Sequence, residues 1–207
     1  MDRVTVAPHP LAGHLLADLR RADTPPERYR VLARRLSMVL ALEATADLPT
    51  AEERLTTPLT EATGQVLGRS VIAIPILRAG LGMLEAVTEL LPDVGVGYVG
   101  LERDEETLQP TEYYFKVPEL TGTRVLLLDP MLATGGSAAF AAELLRRRGA
   151  EDLTLVCVIA APEGIERLTT ADPEIRIVTA AIDDHLNDVG YIVPGLGDFG
   201  DRLFGTF

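Results

Sequence analysis

The stretch Asp129-Pro130-Met131-Leu132-Ala133-Thr134-Gly135-Gly136-Ser137 has the residue types needed to cradle an anion. It lies between an apolar run, RVLLL at 124–128, and a helical pattern, SAAFAAELLRRRG at 137–149. At such a junction main-chain N–H groups converge, glycines permit close approach, and the start of the helix contributes partial positive charge. Thr134 and Ser137 add hydroxyl donors. No lysine follows the glycines, so this is not a Walker loop. Asp129 repels phosphate but can accept hydrogen bonds from sugar hydroxyls, so a sugar phosphate fits the stretch better than free phosphate.

A second candidate is Arg78 in PILRAGLGM (75–83), after the β-branched run SVIAIP (70–75) and just before Gly80 and Gly82. A strand end beside a glycine-rich turn is a ligand edge, and a guanidinium there can clamp a diphosphate through paired N–H donors. Lys116 is the only lysine, in a strand-like run with Tyr113 and Tyr114. Other signals carry less. Gly95-Val-Gly-Tyr-Val-Gly100 fits a dinucleotide fingerprint but leads into RDEET rather than a helix, which excludes a nicotinamide dehydrogenase on context. His9, His14 and His185 lack metal-ligand spacing, and capping or surface roles suit them. Cys157 sits mid-strand as a small apolar residue. Asp201 and Arg202 read as a structural ion pair.

These residues need a scaffold. Leu11, Leu15 and Leu19 share one helical face; Thr24-Pro-Pro-Glu27 has the form of a capping box. It opens a second helix in which Tyr29, Leu32, Leu36, Val39 and Leu40 repeat at the 3.6 period. Residues 48–68 are turn-rich, with a short strand around 54–57. Strands at 70–75, 95–101, 111–117, 124–129, 153–161 and 175–182 alternate with helices at 79–91, 137–149 and 162–169. Continuous apolar strands alternating with helices indicate a parallel sheet covered on both faces. Residues 183–207 show no periodicity. The reading is one α/β domain, divided into an N-terminal helical arm and connection (1–69), an α/β core (70–182) and a C-terminal segment (183–207).

Composition limits the partners. The 207 residues include 19 Lys plus Arg and 31 Asp plus Glu, for a net charge of −12. A pI near 4.7 argues against a broad basic surface for nucleic acid or an anionic membrane, and so against the alternative reading, a pyrimidine-sensing regulator that binds RNA. No apolar run reaches the roughly 18 residues of a membrane span, and the start MDRVTVAPHP lacks a signal core. One cysteine cannot form an internal disulfide, so a cytoplasmic setting is expected.

The 129–137 stretch resembles the phosphoribosyl-diphosphate loop of phosphoribosyltransferases, in the form used by uracil phosphoribosyltransferases, where Pro130 replaces the second of two acids. PILRAGLGM (75–83), RDEETLQPTEYYFKVP (103–118), APEGIERL (161–168) and YIVPGLGDFGDRLFGT (191–206) are similar to that family in order and spacing, as is LALEATADLP. The resemblance implies a phosphoribosyltransferase-like central parallel sheet flanked by helices, and conversion of uracil and 5-phosphoribosyl 1-diphosphate to UMP and diphosphate. It assigns the donor to Arg78, Arg103, Asp129, Pro130, Met131, Leu132, Ala133, Thr134, Gly135, Gly136, Ser137 and Asp198. Uracil falls to Ile192, Gly197, Asp198 and Phe199, mainly through main chain. No single acid or base is implied, with Arg78 stabilising the leaving group and Mg²⁺ carried by the substrate diphosphate. A homodimer or larger homo-oligomer is also implied, with GTP an activator in some relatives. Two residues depart from the family. Glu102 stands where tyrosine is expected and lowers local anion attraction. Phe199 replaces the usual alanine and bears on the shape of the base pocket.

Overall fold

All five residues of β8 (Arg124–Leu128) are buried, as befits a strand at the centre of a parallel sheet. The computed structural model describes residues 3–103 and 110–206, apart from the side chains of Arg103 and Pro110. β8 pairs in parallel with β4 (Val71–Leu77) on one side and β10 (Asp152–Ala160) on the other. Beyond β10 lie β11 (Arg176–Ile182) and β1 (Val4–Val6), both parallel. Beyond β4 lie β6 (Tyr98–Arg103) and then β7 (Pro110–Lys116), which runs antiparallel to β6. Two-residue strands β5 (Gly95–Val96) and β9 (Met131–Leu132) pair with β4 and β10.

Side chains alternate between the faces of this sheet. Leu126 and Leu128 of β8 join Val71 and Ala73 of β4 under four helices: α1 (Pro10–Arg20), α2 (Pro26–Ala44), α3 (Leu81–Leu90) and α6 (Phe199–Phe204). Val125 and Leu127 join Ile72, Ile74 and Leu155 under α4 (Gly136–Arg147) and α5 (Pro162–Ala171). Each fully buried leucine or isoleucine adds about 1.5–3 kcal/mol over an exposed one, so both layers favour one register.

The chain order creates a switch point. From β4 the path runs through α3 to β6 on one side; from β8 it runs through α4 to β10 on the other. α3 and α4 lie on opposite faces, so a crevice opens beyond the carboxyl ends of β4 and β8, where open α/β sheets bind ligands. The amino ends are fastened differently. Buried Arg124 donates to Asp152, Asp47 and the Ala44 carbonyl, while Arg176 reaches both carboxylates and Arg69 joins at Asp152.

Several expectations change. The first two helices do not stand off as an arm: Tyr29, Leu36, Leu40 and Ala41 are wholly buried in the layer beneath the sheet. Their apolar stripe therefore faces the core. The capping box does not form, because α2 starts one residue beyond it. Pro25 occupies the cap with no side-chain acceptor, and the Thr24 hydroxyl donates to the Asp18 carbonyl instead. His9 does cap α1, its Nδ1 accepting from the Leu11 N–H at 3.2 Å. Residues 48–68 are mostly a hairpin of β2 (Thr50–Thr56) and β3 (Glu61–Leu67), fully paired in antiparallel register. Its residues are mostly exposed on both faces, so burial imposes no alternating pattern to read. The C-terminal segment holds α6 and the small pair β12 (His185–Leu186) and β13 (Ile192–Val193), too short for periodicity to show.

Candidate functional site

Arg78 is the first residue past β4, on an exposed turn that leads into α3, and the Leu77–Arg78 peptide is cis. Among the described residues its guanidinium forms no ion pair. The turn sits against β8 because Gly80 lacks a side chain. A Cβ there would lie 2.4 Å from the Leu128 carbonyl oxygen and 2.7 Å from that of Ile76. This close approach sets the Arg78 turn beside the residue that follows Leu128, which is Asp129.

Asp129 ends the central strand. Its N–H bonds the Val156 carbonyl at 3.2 Å. Burial pushes its carboxyl up to about 7, with the nearby Met131 N–H pulling the other way. Pro130 is buried and its carbonyl accepts from the Val158 and Ile159 N–H groups at 2.9 and 3.3 Å. β9 then resumes pairing along β10, Met131 opposite Ile159. The acid is thus held at a break in an otherwise continuous strand.

Beyond β9 the chain turns at 133–135 into α4. Gly135 has φ +74°, and a Cβ on it would meet the Gly164 carbonyl at 2.7 Å. In return, a Cβ on Gly164 would meet the Ala133 carbonyl at 2.3 Å, so the loop is seated on the first turn of α5. The first N–H groups of an α-helix such as α4 have no partner within the helix, an arrangement able to receive an anion. Thr134 and Ser137 flank them half-buried, and their hydroxyls make no hydrogen bond with described side chains. Gly164, in APEGIERL, is a positioning residue that spacing alone does not reveal.

The C-terminal segment closes the site. A cleft of about 440 Å³ is lined by Ala79 of the Arg78 turn, Met131 and Ala133 of the loop, and Val189–Ile192 with Gly197–Gly200 of the segment. Three stretches distant in sequence therefore share one wall. Of the residues assigned from the sequence, Met131, Ala133, Ile192, Gly197, Asp198 and Phe199 line it. Pro130 and Leu132 are buried behind, where they can act only through main chain. Lys116 is exposed on β7 opposite Tyr98 and is not among the cleft residues. Glu102 is exposed on β6. The Arg103 side chain, like residues 104–109 of the same motif, lies outside the described residues.

Two side chains of the segment behave unexpectedly. Asp198 caps α6, its Oδ1 accepting from the Asp201 N–H at 2.9 Å. Phe199 lines the cleft as a residue yet keeps only 1% of its surface exposed. Asp201 and Arg202 do not pair among the described residues. Consecutive positions on a helix point apart: Asp201 accepts from the Thr206 hydroxyl, whereas Arg202 turns inward. Away from the site, Cys157 is wholly buried mid-strand, its thiol pushed up to about 12 by desolvation. Among the described residues, no three His, Cys, Asp or Glu side chains gather as a metal-ion cage.

A family model described as uracil phosphoribosyltransferase matches residues 6–206. A uracil phosphoribosyltransferase of Clostridium perfringens is 51% identical over 208 residues, covering all of both chains. A solved protein from Aquifex aeolicus superposes with a TM-score of 0.90 at 39% identity, covering 97% of each chain. A hypoxanthine phosphoribosyltransferase of Trypanosoma cruzi shares the fold at a TM-score of 0.52 and 14% identity, covering 76% of each chain.

Proposed function

The chain belongs to the uracil phosphoribosyltransferase family, and from that premise we propose how its own residues carry the reaction. The activity is transfer of the phosphoribosyl group from 5-phosphoribosyl 1-diphosphate to uracil, giving UMP and diphosphate in pyrimidine salvage.

Displacement at C1 of the sugar passes through a transition state with oxocarbenium character, like that of glycoside chemistry. Such a reaction needs a stabilised leaving group and an aligned base more than it needs a nucleophilic side chain. Arg78, at the end of β4, takes the diphosphate through paired N–H donors and offsets the charge that grows on it. Asp129, at the end of the adjacent β8, accepts from the ribose hydroxyls. The 133–137 turn and the start of α4 hold the 5′-phosphate through main-chain N–H groups and the Thr134 and Ser137 hydroxyls. Residues 192 and 197–199 offer main-chain donors and acceptors to the two carbonyls and the ring N–H groups of uracil. A cytosine-like base reverses one donor and one acceptor and leaves buried groups unpaired.

The observation that supports this assignment is that Arg78 and Asp129 follow the paired strands β4 and β8 at a switch point, with Ala79 and Met131 beside them in the chain lining the C-terminal cleft. Mg²⁺ would enter as part of the substrate, carried by the diphosphate, a reading that rests on the family resemblance. A homodimer or larger assembly belongs to the same reading, supported by Leu55, Leu59, Val66 and Leu67 exposed on the hairpin. GTP activation rests on the family resemblance alone. A reducing, cytoplasmic setting is supported by the lone buried thiol.

The test is direct. The purified chain, given uracil, the phosphoribosyl donor and Mg²⁺, should form UMP and diphosphate in equal amounts. Product from a purine base alone would overturn the assignment of the base.

A further inference from the structure

Arg202 keeps 9% of its surface exposed, yet among the described residues its guanidinium meets no carboxylate. Its donors go to main-chain carbonyls. Nη1 donates to Leu19 at 2.6 Å and Leu196 at 2.7 Å, and Nη2 donates to Arg21. The guanidinium carbon lies 4.5 Å from the centre of the Tyr29 ring. A planar fork with five donors and a stacking face suits this environment, and a lysine ammonium does not. Burying an unpaired cation is costly, which directs attention to what the fork holds in place.

It holds the loop that leads into the base wall. Leu196, bonded by Arg202, immediately precedes Gly197 and Asp198 on the cleft. A second arginine, Arg20 at the carboxyl end of α1, reaches the same loop. Arg20 donates to both Asp183 oxygens and to the Gly195 carbonyl, while Asp183 Oδ2 accepts from the Gly195 N–H at 2.9 Å. The Gly195 carbonyl is thus tied to the carboxyl end of α1 directly, its N–H through Asp183, and the Leu196 carbonyl through Arg202.

We propose that Arg202 and Arg20 are positioning residues for base recognition, clamping the loop at 195–196 to α1 so that the main chain at 197–199 is preset for uracil. The inference rests on the reading of 192 and 197–199 as the base seat. Main-chain recognition of a small planar ring tolerates little displacement. A glycine-rich loop left loose must also be ordered by the ligand at each binding event, which weakens affinity. Neither arginine lines the cleft, so each acts through the loop and touches no reacting atom.

The test compares the full-length chain with Arg202→Lys and Arg20→Gln, measuring KM for uracil, KM for the phosphoribosyl donor, kcat, UMP binding by calorimetry and the thermal midpoint. Arg202→Lys should raise KM for uracil at least tenfold and weaken UMP binding, with KM for the donor raised by a clearly smaller factor, through Asp198 alone. Arg20→Gln should raise KM for uracil about threefold to fivefold. Its side chain is a quarter exposed, so it decides the matter alone if Arg202→Lys does not fold. Folded variants whose uracil KM stays within twofold of wild type would overturn the inference. So would equal losses toward both substrates with a lowered midpoint, which mark a loosened core and nothing specific to the base. A wild-type chain unable to use uracil would overturn the base-seat reading, and the inference with it. Normal wild-type turnover with unmoved uracil KM in the variants would overturn the inference alone.

Discussion

The Phe199 ring meets the Tyr29 ring edge-on, with centroids 5.4 Å apart and planes inclined at 66°. A residue in the base-recognition segment is therefore anchored on the second helix of the chain. Its bulk serves the core. Phe199→Ala should cost about 3 kcal/mol of stability through the cavity it leaves, read as a lowered urea midpoint. KM for uracil should move less than threefold, because the side chain is buried and recognition runs through main chain.

The hydroxyl of Tyr29 is buried with no hydrogen-bond partner among the described residues, and desolvation raises its pKa. An unmet buried hydroxyl is worth roughly 1 kcal/mol or more of lost stability. Tyr29→Phe should keep both ring contacts and raise the denaturation midpoint by about that much.

Arg78→Ala should leave the fold intact, since the side chain is exposed and unpaired among the described residues. Initial rates of UMP formation should show kcat reduced by about a hundredfold or more, as when a transition-state charge stabiliser is removed. Arg78→Lys should recover only part of the loss, because an ammonium cannot make paired contacts. Near-normal turnover in Arg78→Ala would refute its role.

Asp129 should give the reaction an acid limb. With its carboxyl pushed up to about 7 by burial, the ionised form that accepts sugar hydroxyls is depleted as pH falls below neutrality. kcat/KM for the phosphoribosyl donor should drop about tenfold per unit below that point. Asp129→Asn should flatten the limb and be tenfold or more slower at pH 8. Stability runs the other way. A carboxyl raised in the folded state contributes stability that is fully present below its ordinary value of 3.8. That contribution is lost as pH rises through about 7. Asp129→Asn should therefore unfold later than wild type at pH 8.

Much of this was legible from residue types. Continuous apolar runs such as RVLLL and LTLVCVIAA mark buried strands because burial on both faces leaves no polar alternation. The strand-to-helix turn after β9 is legible because glycines and a helix start coincide within nine residues. The hairpin at 50–67 and the pair at 185–193 were not, since exposed or very short strands have little burial to pattern them. Adjacency of Arg202 to Asp201 in sequence suggests a pair that helical geometry forbids. The inward turn of Phe199 depends on Tyr29, 170 residues away, and no local pattern encodes it.

The bond from Arg202 to Leu19 spans 183 residues of chain. During synthesis the 129–137 loop meets its seat on α5 only after residue 164 has been made, and the clamp on the Leu196 carbonyl must wait for Arg202 in the last helix. Closing so long a separation comes late and is entropically costly. A chain clipped before Arg202 would lack this bond and, with it, the hold on the Leu196 carbonyl, so the last stretch of chain to be made is the one that ties residue 196 to the first helix.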